Sequence, residues 1–229
     1  MHFLGDFSRP SARPTSVATI LSLFLSPVAC SLSPCPDYSG FGKEGRTRIY
    51  ATRDSSADDL PITGTWTWTT TSTDWSSAEV VVESTMEVYY SPEHQNIIQT
   101  ETSFYSCNSD GAWLGSREIL VRVLEDDTSS EPFKYIYDPP VLVVPAELEE
   151  GTAWETTGEV TFVSGPTSFS EEYSIRWESG DEVEITTEAG TFNGLEVSRT
   201  EEEEVYSQII DPDLGLTQDN GWELTGWSR

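Results

Sequence analysis

Positive charge is scarce in this chain of 229 residues. Twelve Lys and Arg stand against 40 Asp and Glu, a formal charge of −28, and only two lysines occur, Lys43 and Lys134. A phosphate backbone calls for a basic surface, so no nucleic acid is expected as a partner. Charge-driven attachment to anionic lipid is disfavoured on the same ground. An acidic shell of this kind suits an envelope protein or one adapted to high salt. Histidine is nearly missing as well. His94 is the one histidine outside the first residues, and it sits in the turn SPEHQN, where it reads as solvated. There is no Gly-x-Ser-x-Gly elbow and no glycine-rich phosphate loop. The three cysteines, Cys30, Cys35 and Cys107, lack metal-ligand spacing. The oxygen-rich loops EDDTSSE and DPDLG do not follow the calcium-loop pattern. No catalytic residue, metal site or cofactor is therefore expected.

A long apolar run is also lacking. The uncharged stretch Val17–Ala29, VATILSLFLSPVA, has 13 residues, short of the roughly 20 that span a bilayer. Arg9 and Arg13 precede it and small residues end it, the parts of a secretory signal rather than of a buried helix. Residues 1–29 are accordingly read as a cleaved signal helix. Its end, Pro27-Val28-Ala29-Cys30, resembles a bacterial lipoprotein signal, with Pro27 where the family usually carries Leu. The resemblance implies lipidation of Cys30 and a membrane partner through that anchor. Ser31 follows where Asp would mark inner-membrane retention, so it implies an outer-membrane location. Lipidation would leave Cys35 and Cys107 as one possible disulfide in an oxidising compartment. Unpaired thiols, or a Cys30–Cys35 bond, are the alternatives.

What the chain does have is period-two alternation. Residues 30–62 are rich in Ser, Pro, Gly and Asp and read as a flexible tether, with RTRIYAT as one candidate edge strand. From residue 63 to 229 apolar and polar residues alternate. GTWTWTTT puts Trp66 and Trp68 on one face. EEYSIRWES puts Tyr173, Ile175 and Trp177 inward and Glu172, Ser174, Arg176 and Glu178 outward. SREILVRVLE sets Ile119, Val121 and Val123 against Glu118 and Arg122. Clusters such as SPEHQN, NSDG, DPP, ESGDE, DPDLG and DNG punctuate these runs. The prediction is an all-β domain, a curved antiparallel sheet or half-barrel of about nine to eleven strands. No amphipathic helix is available to cover the sheet, so it must curl over its own apolar face.

Three later stretches, VVPAELEEGTAWETTGEV, ITTEAGTFNGLEVSR and IIDPDLGLTQDNGWEL, resemble a loose group of β-rich bacterial envelope proteins. The resemblance implies a curved sheet similar to lipoprotein-carrier half-barrels and brings no catalytic residues. The expected function is a lipid-anchored, non-enzymatic envelope protein that binds an apolar ligand, a lipid or an envelope partner. The face formed by Trp66, Trp68, Tyr173, Ile175 and Trp177 would receive it, unless those side chains fill a closed core. A carboxylate-dependent polysaccharide hydrolase is one rival, and it requires two carboxylates across a cleft. A cation-dependent adhesion module is the other, with the run Glu201 to Glu204 as its candidate rim.

Overall fold

Alternation is converted into strands along the whole domain. The computed structural model describes residues 35–42, 44–52, 63–74, 76–89, 96–124 and 128–228. Residues 33–229 form one compact unit. The expected signal segment 1–29, Cys30, the linking stretch 53–62, Lys43 and His94 lie outside the described residues. After a single 3-10 turn at Asp37–Ser39 come β1 (Thr47–Thr52), β2 (Thr63–Asp74), β3 (Glu79–Tyr89), β4 (Ile97–Asn108) and β5 (Gly111–Val123). They are followed by β6 (Thr128–Ser129), β7 (Phe133–Pro145), β8 (Ala153–Ser164), β9 (Thr167–Thr187) and β10 (Gly190–Glu201). The last are β11 (Glu204–Asp211), β12 (Gly215–Asp219) and β13 (Trp222–Trp227).

Each strand pairs antiparallel with its neighbour in sequence, except that β6 only extends the edge of β5 and the chain resumes from β5 to β7. The ring closes where β13 returns to β1. Twelve strands thus form a closed up-and-down barrel, not the open half-barrel of nine to eleven strands expected from the pattern. The strand that closes it is β1, from the stretch read as tether. Arg48 faces Trp68 of β2 on one side and Trp227 of β13 on the other. Closure removes both sheet edges, whose unpaired backbone groups would otherwise invite foreign strands.

Strand counting failed at bulges and at one hairpin. ESGDE reads as a turn, yet β9 runs through it, and its ladder with β10 slips between Leu195 and Val197. DPP likewise lies inside β7, where the ladder with β5 jumps from Leu114–Val141 to Ser116–Ile136. Conversely, the run EEEE hides a turn. Glu201 ends β10, Glu202 adopts a positive φ of 56°, and Glu204 opens β11. Asn220 and Gly221, both at positive φ, make the tight β12–β13 hairpin that an Asn-Gly pair favours.

The polarity of the wall is plain on β9 and β3. On β9, Ile175 and Trp177 are buried while Glu172, Ser174, Arg176 and Glu178 are exposed. On β3, Val80, Val82 and Val88 are buried while Glu79 and Glu83 are exposed. A membrane-spanning barrel presents apolar residues outward and polar ones to its lumen. Here the charged rows face out, so this wall faces water.

One end of the barrel is covered by the chain itself. Phe41 is buried against the core, its ring 4.6 Å from that of Tyr105. Thr70 donates a hydrogen bond to the Phe41 carbonyl at 2.7 Å. Gly40, at φ 63°, lies so close to Gly215 that a Cβ there would run into the Leu214 carbonyl. Cys35 is joined to Cys107 of β4, 72 residues away, by a disulfide. The stretch 35–42, expected to be flexible tether, is therefore a bolted cover.

Candidate functional site

A barrel of twelve strands is wider than the eight-stranded barrels whose lumen side chains can fill. Here the lumen is narrowed by tryptophans and the cover, which leaves a cavity of about 240 Å³ that is not sealed from solvent. Residues of β1, β2, β4, β5, β7, β9, β10, β11 and β12, with the cover, supply its wall. Trp66, Trp68 and Trp177 line it, together with Tyr105, Leu114 and Leu216. Trp66 and Trp68 meet edge to face with centroids 4.9 Å apart, and Trp177 stacks on Trp154 at 5.6 Å. Of the other predicted face residues, Ile175 is buried in the core, and Tyr173 packs on Tyr137 at 5.6 Å and hydrogen-bonds the Pro139 carbonyl. All five share the inner surface, and three of them reach the cavity.

The wall also carries charge that the reading of the aromatic face did not include. Arg48, Glu101, Arg117, Arg199 and Asp219 all line the cavity, with Gln208. The signal was present in the parity of the alternation. Arg117 has the same parity as Ile119 and Val121, Arg199 the same as Val197, Glu101 the same as Ser103 and Tyr105, and Arg48 the same as Tyr50. The ladders keep these positions together on adjacent strands: Arg117 opposite Ser103, Arg199 opposite Trp177, Gln208 opposite Asp219.

These groups are held by different means. Arg48 is 2% exposed, donates to the Leu214 carbonyl at 3.2 Å and lies 4.9 Å above the Trp68 ring. Arg117 and Arg199 lie over Tyr135 at 4.8 Å and Tyr206 at 4.4 Å. Ser103 donates to Glu101 at 2.6 Å. The Gln208 amide donates to Asp219 at 3.1 Å. Burial pushes the Tyr105 phenol up to about 12. Burial also raises the Asp219 carboxyl above its ordinary value, against the opposing pull of Gln208 and Arg199.

The Asp219 shift has a signed consequence. Its folded pKa exceeds the unfolded one, so the fold favours the protonated acid. That contribution is full below the ordinary Asp pKa of about 4 and is lost as pH rises through the folded value. Asp219→Asn imitates the protonated form and can still accept from Gln208. Its stability should exceed that of the wild type at neutral pH, and the gain should shrink as pH falls to about 4. Urea midpoints of both proteins across this range check it, and a variant less stable at neutral pH contradicts it.

A wider surface cleft of about 1010 Å³ lies beside Arg46, Phe192, Asp213 and Trp227. There Arg46 donates to the Asp213 carbonyl at 2.7 Å through a terminal nitrogen, while its Nε is buried without a hydrogen-bond partner. None of the predicted face residues lies there, and the lumen is the better candidate. Among the described residues, no group of three or more His, Cys, Asp or Glu is arranged to hold a metal ion.

A scan against protein-family models matches none, and a search of curated proteins finds no match. Among solved structures, the chain is similar to one described as a "putative lipoprotein" from Parabacteroides distasonis, at 11% identity and a TM-score of 0.45. The likeness covers 85% of this chain and 99% of that one.

Proposed function

We propose that this is an exported, lipid-anchored binding protein whose barrel lumen takes up a small, largely apolar ligand and carries out no chemistry on it. The observation that carries the reading is the unsealed 240 Å³ cavity walled by Trp66, Trp68 and Trp177. Ligand pockets are characteristically concave, mostly apolar and furnished with a few convergent polar groups. The anchor is supported by the Cys30 signal, and the water-facing outer wall suits a domain held beside a membrane rather than in it. Neutral N-phenylnaphthylamine should bind saturably at one site per chain, and Trp68→Ala should weaken it. Cys30→Ser should move the protein from the membrane to the soluble fraction. Unsaturable probe uptake removes the ligand, and a variant that stays membrane-bound removes the anchor.

A second reading keeps one observation in its favour. Glu101 and Asp219 both face the cavity, and burial raises the Asp219 carboxyl above its ordinary value. Release of reducing ends from a polysaccharide panel, abolished by Glu101→Gln, would establish the hydrolase instead.

A further inference from the structure

We infer that the ligand of the lumen is an amphiphile bearing an oxyanion (a carboxylate, sulfonate or phosphate), and that Arg117 and Arg199 hold that group. The inference rests on reading the lumen as a ligand cavity and adds what the ligand must carry.

Three of the chain's 12 basic side chains line this one cavity, while the protein as a whole has a formal charge of −28. General basicity does not place them there. Within the cavity wall, Arg48, Arg117 and Arg199 face two carboxylates, Glu101 and Asp219, so the wall is net positive by one charge when both acids are ionised. Protonation of Asp219, which its burial favours, makes the excess larger.

The cations are also poorly satisfied. Among the described residues, the ion pairs are Lys134–Glu118, Arg176–Glu178 and Arg199–Glu201. Arg199 reaches Glu201 only at 3.9 Å, and Arg117 is in none of them. The Nε atoms of Arg117 and Arg199 and the Nε1 of Trp68 are buried without a hydrogen-bond partner. Buried donors left unmatched are costly and uncommon, and three of the four among the described residues belong to residues of this cavity wall, the fourth being Arg46 Nε. Arg48 has a different job. Its bond to the Leu214 carbonyl and its stacking on Trp68 hold that indole in the cavity wall.

Chemistry selects the ligand class. A cation would be repelled by the arginines. A wholly apolar body would leave the guanidinium groups of Arg117 and Arg199 unanswered. An oxyanion answers them, and the planar guanidinium fork suits it. Trp66, Trp177 and Leu114 remain for an apolar body. The acidic exterior does not forbid entry, since salt screens charges beyond about 8 Å at physiological strength.

Anilinonaphthalene sulfonate and N-phenylnaphthylamine share one ring skeleton and differ by the sulfonate. Fluorescence titration of the whole anchored protein in detergent compares them directly. The sulfonate should bind about tenfold to a hundredfold more tightly, the range that charge-assisted hydrogen bonds supply. Arg117→Gln and Arg199→Gln, made separately and checked for a native melting transition, should each erode that ratio, weakening the sulfonate more than the neutral probe. If one variant fails to fold, the other still decides. Octanoate should displace the sulfonate, and inorganic phosphate at equal concentration should not. Equal binding of the two probes would overturn the oxyanion and leave the lumen reading standing. So would a sulfonate preference that survives both substitutions. Displacement by inorganic phosphate as strong as by octanoate would overturn the amphiphile. Saturable binding of neither probe would fell the lumen reading itself.

Discussion

Trp177→Ala should destabilise the barrel by about 3–5 kcal/mol. Trp177 is 5% exposed and lies face to face with Trp154, their planes 6° apart. Removing it deletes that stacking, opens space beside Arg199 and enlarges the cavity, and the closed ladder leaves the wall little freedom to collapse into it. Glu178, the next residue, points to water, and its weak pairing with Arg176 is 3.6 Å long between two exposed side chains. Glu178→Ala should therefore change stability by less than about 0.5 kcal/mol. Urea midpoints of the two variants settle the matter. Similar costs would mean that β9 does not present alternate residues to core and solvent.

Loss of the Cys35–Cys107 bond should cost about 4 kcal/mol, because the bond closes a loop of 72 residues and so restricts the unfolded chain. Both cysteines are 5% exposed within the core. The bond also pins the cover that places Phe41 over Tyr105, so reduction should loosen the residues at that end of the cavity. Cys107→Ala, or the wild type with reductant, should show a lower denaturation midpoint and faster hydrogen exchange at residues 38–41. Peptide mapping that finds both thiols free in the protein purified without reductant would remove the premise. An unchanged midpoint after complete reduction would show that the cover contributes nothing through this bond.

Much of the local structure was legible because a strand exposes its environment two residues at a time. In EEYSIRWES the inward Tyr173, Ile175 and Trp177 and the outward glutamates could be read directly, and the structure keeps that alternation. Strand ends were harder. A bulge uses the residues of a turn without reversing the chain, so ESGDE in β9 looked like an end and is a bend. Four glutamates in a row conceal a hairpin because the turn needs only a positive φ at Glu202, which the run EEEE does not announce. The inward charges were visible in parity but were passed over. An arginine at an apolar position reads as a fault in the pattern until its opposite numbers are known.

The sequence by itself determined that the domain is all-β, that its outer face is acidic and its inner face aromatic, and that Trp66, Trp68 and Trp177 look inward. These follow from side-chain order within single strands, where the physics is local. Only the tertiary structure decided that the sheet closes. Closure depends on β1 pairing with β13, a match of Arg48 to Trp227 across nearly the whole domain that no local window contains. It also decided what the lumen is. Arg48, Glu101, Arg117, Arg199 and Asp219 come from five different strands, and a buried charge acquires its meaning from its neighbours, because desolvation is costly unless another group answers it. The ring brings those five together, and leaves three N–H donors of the lumen wall without a protein partner.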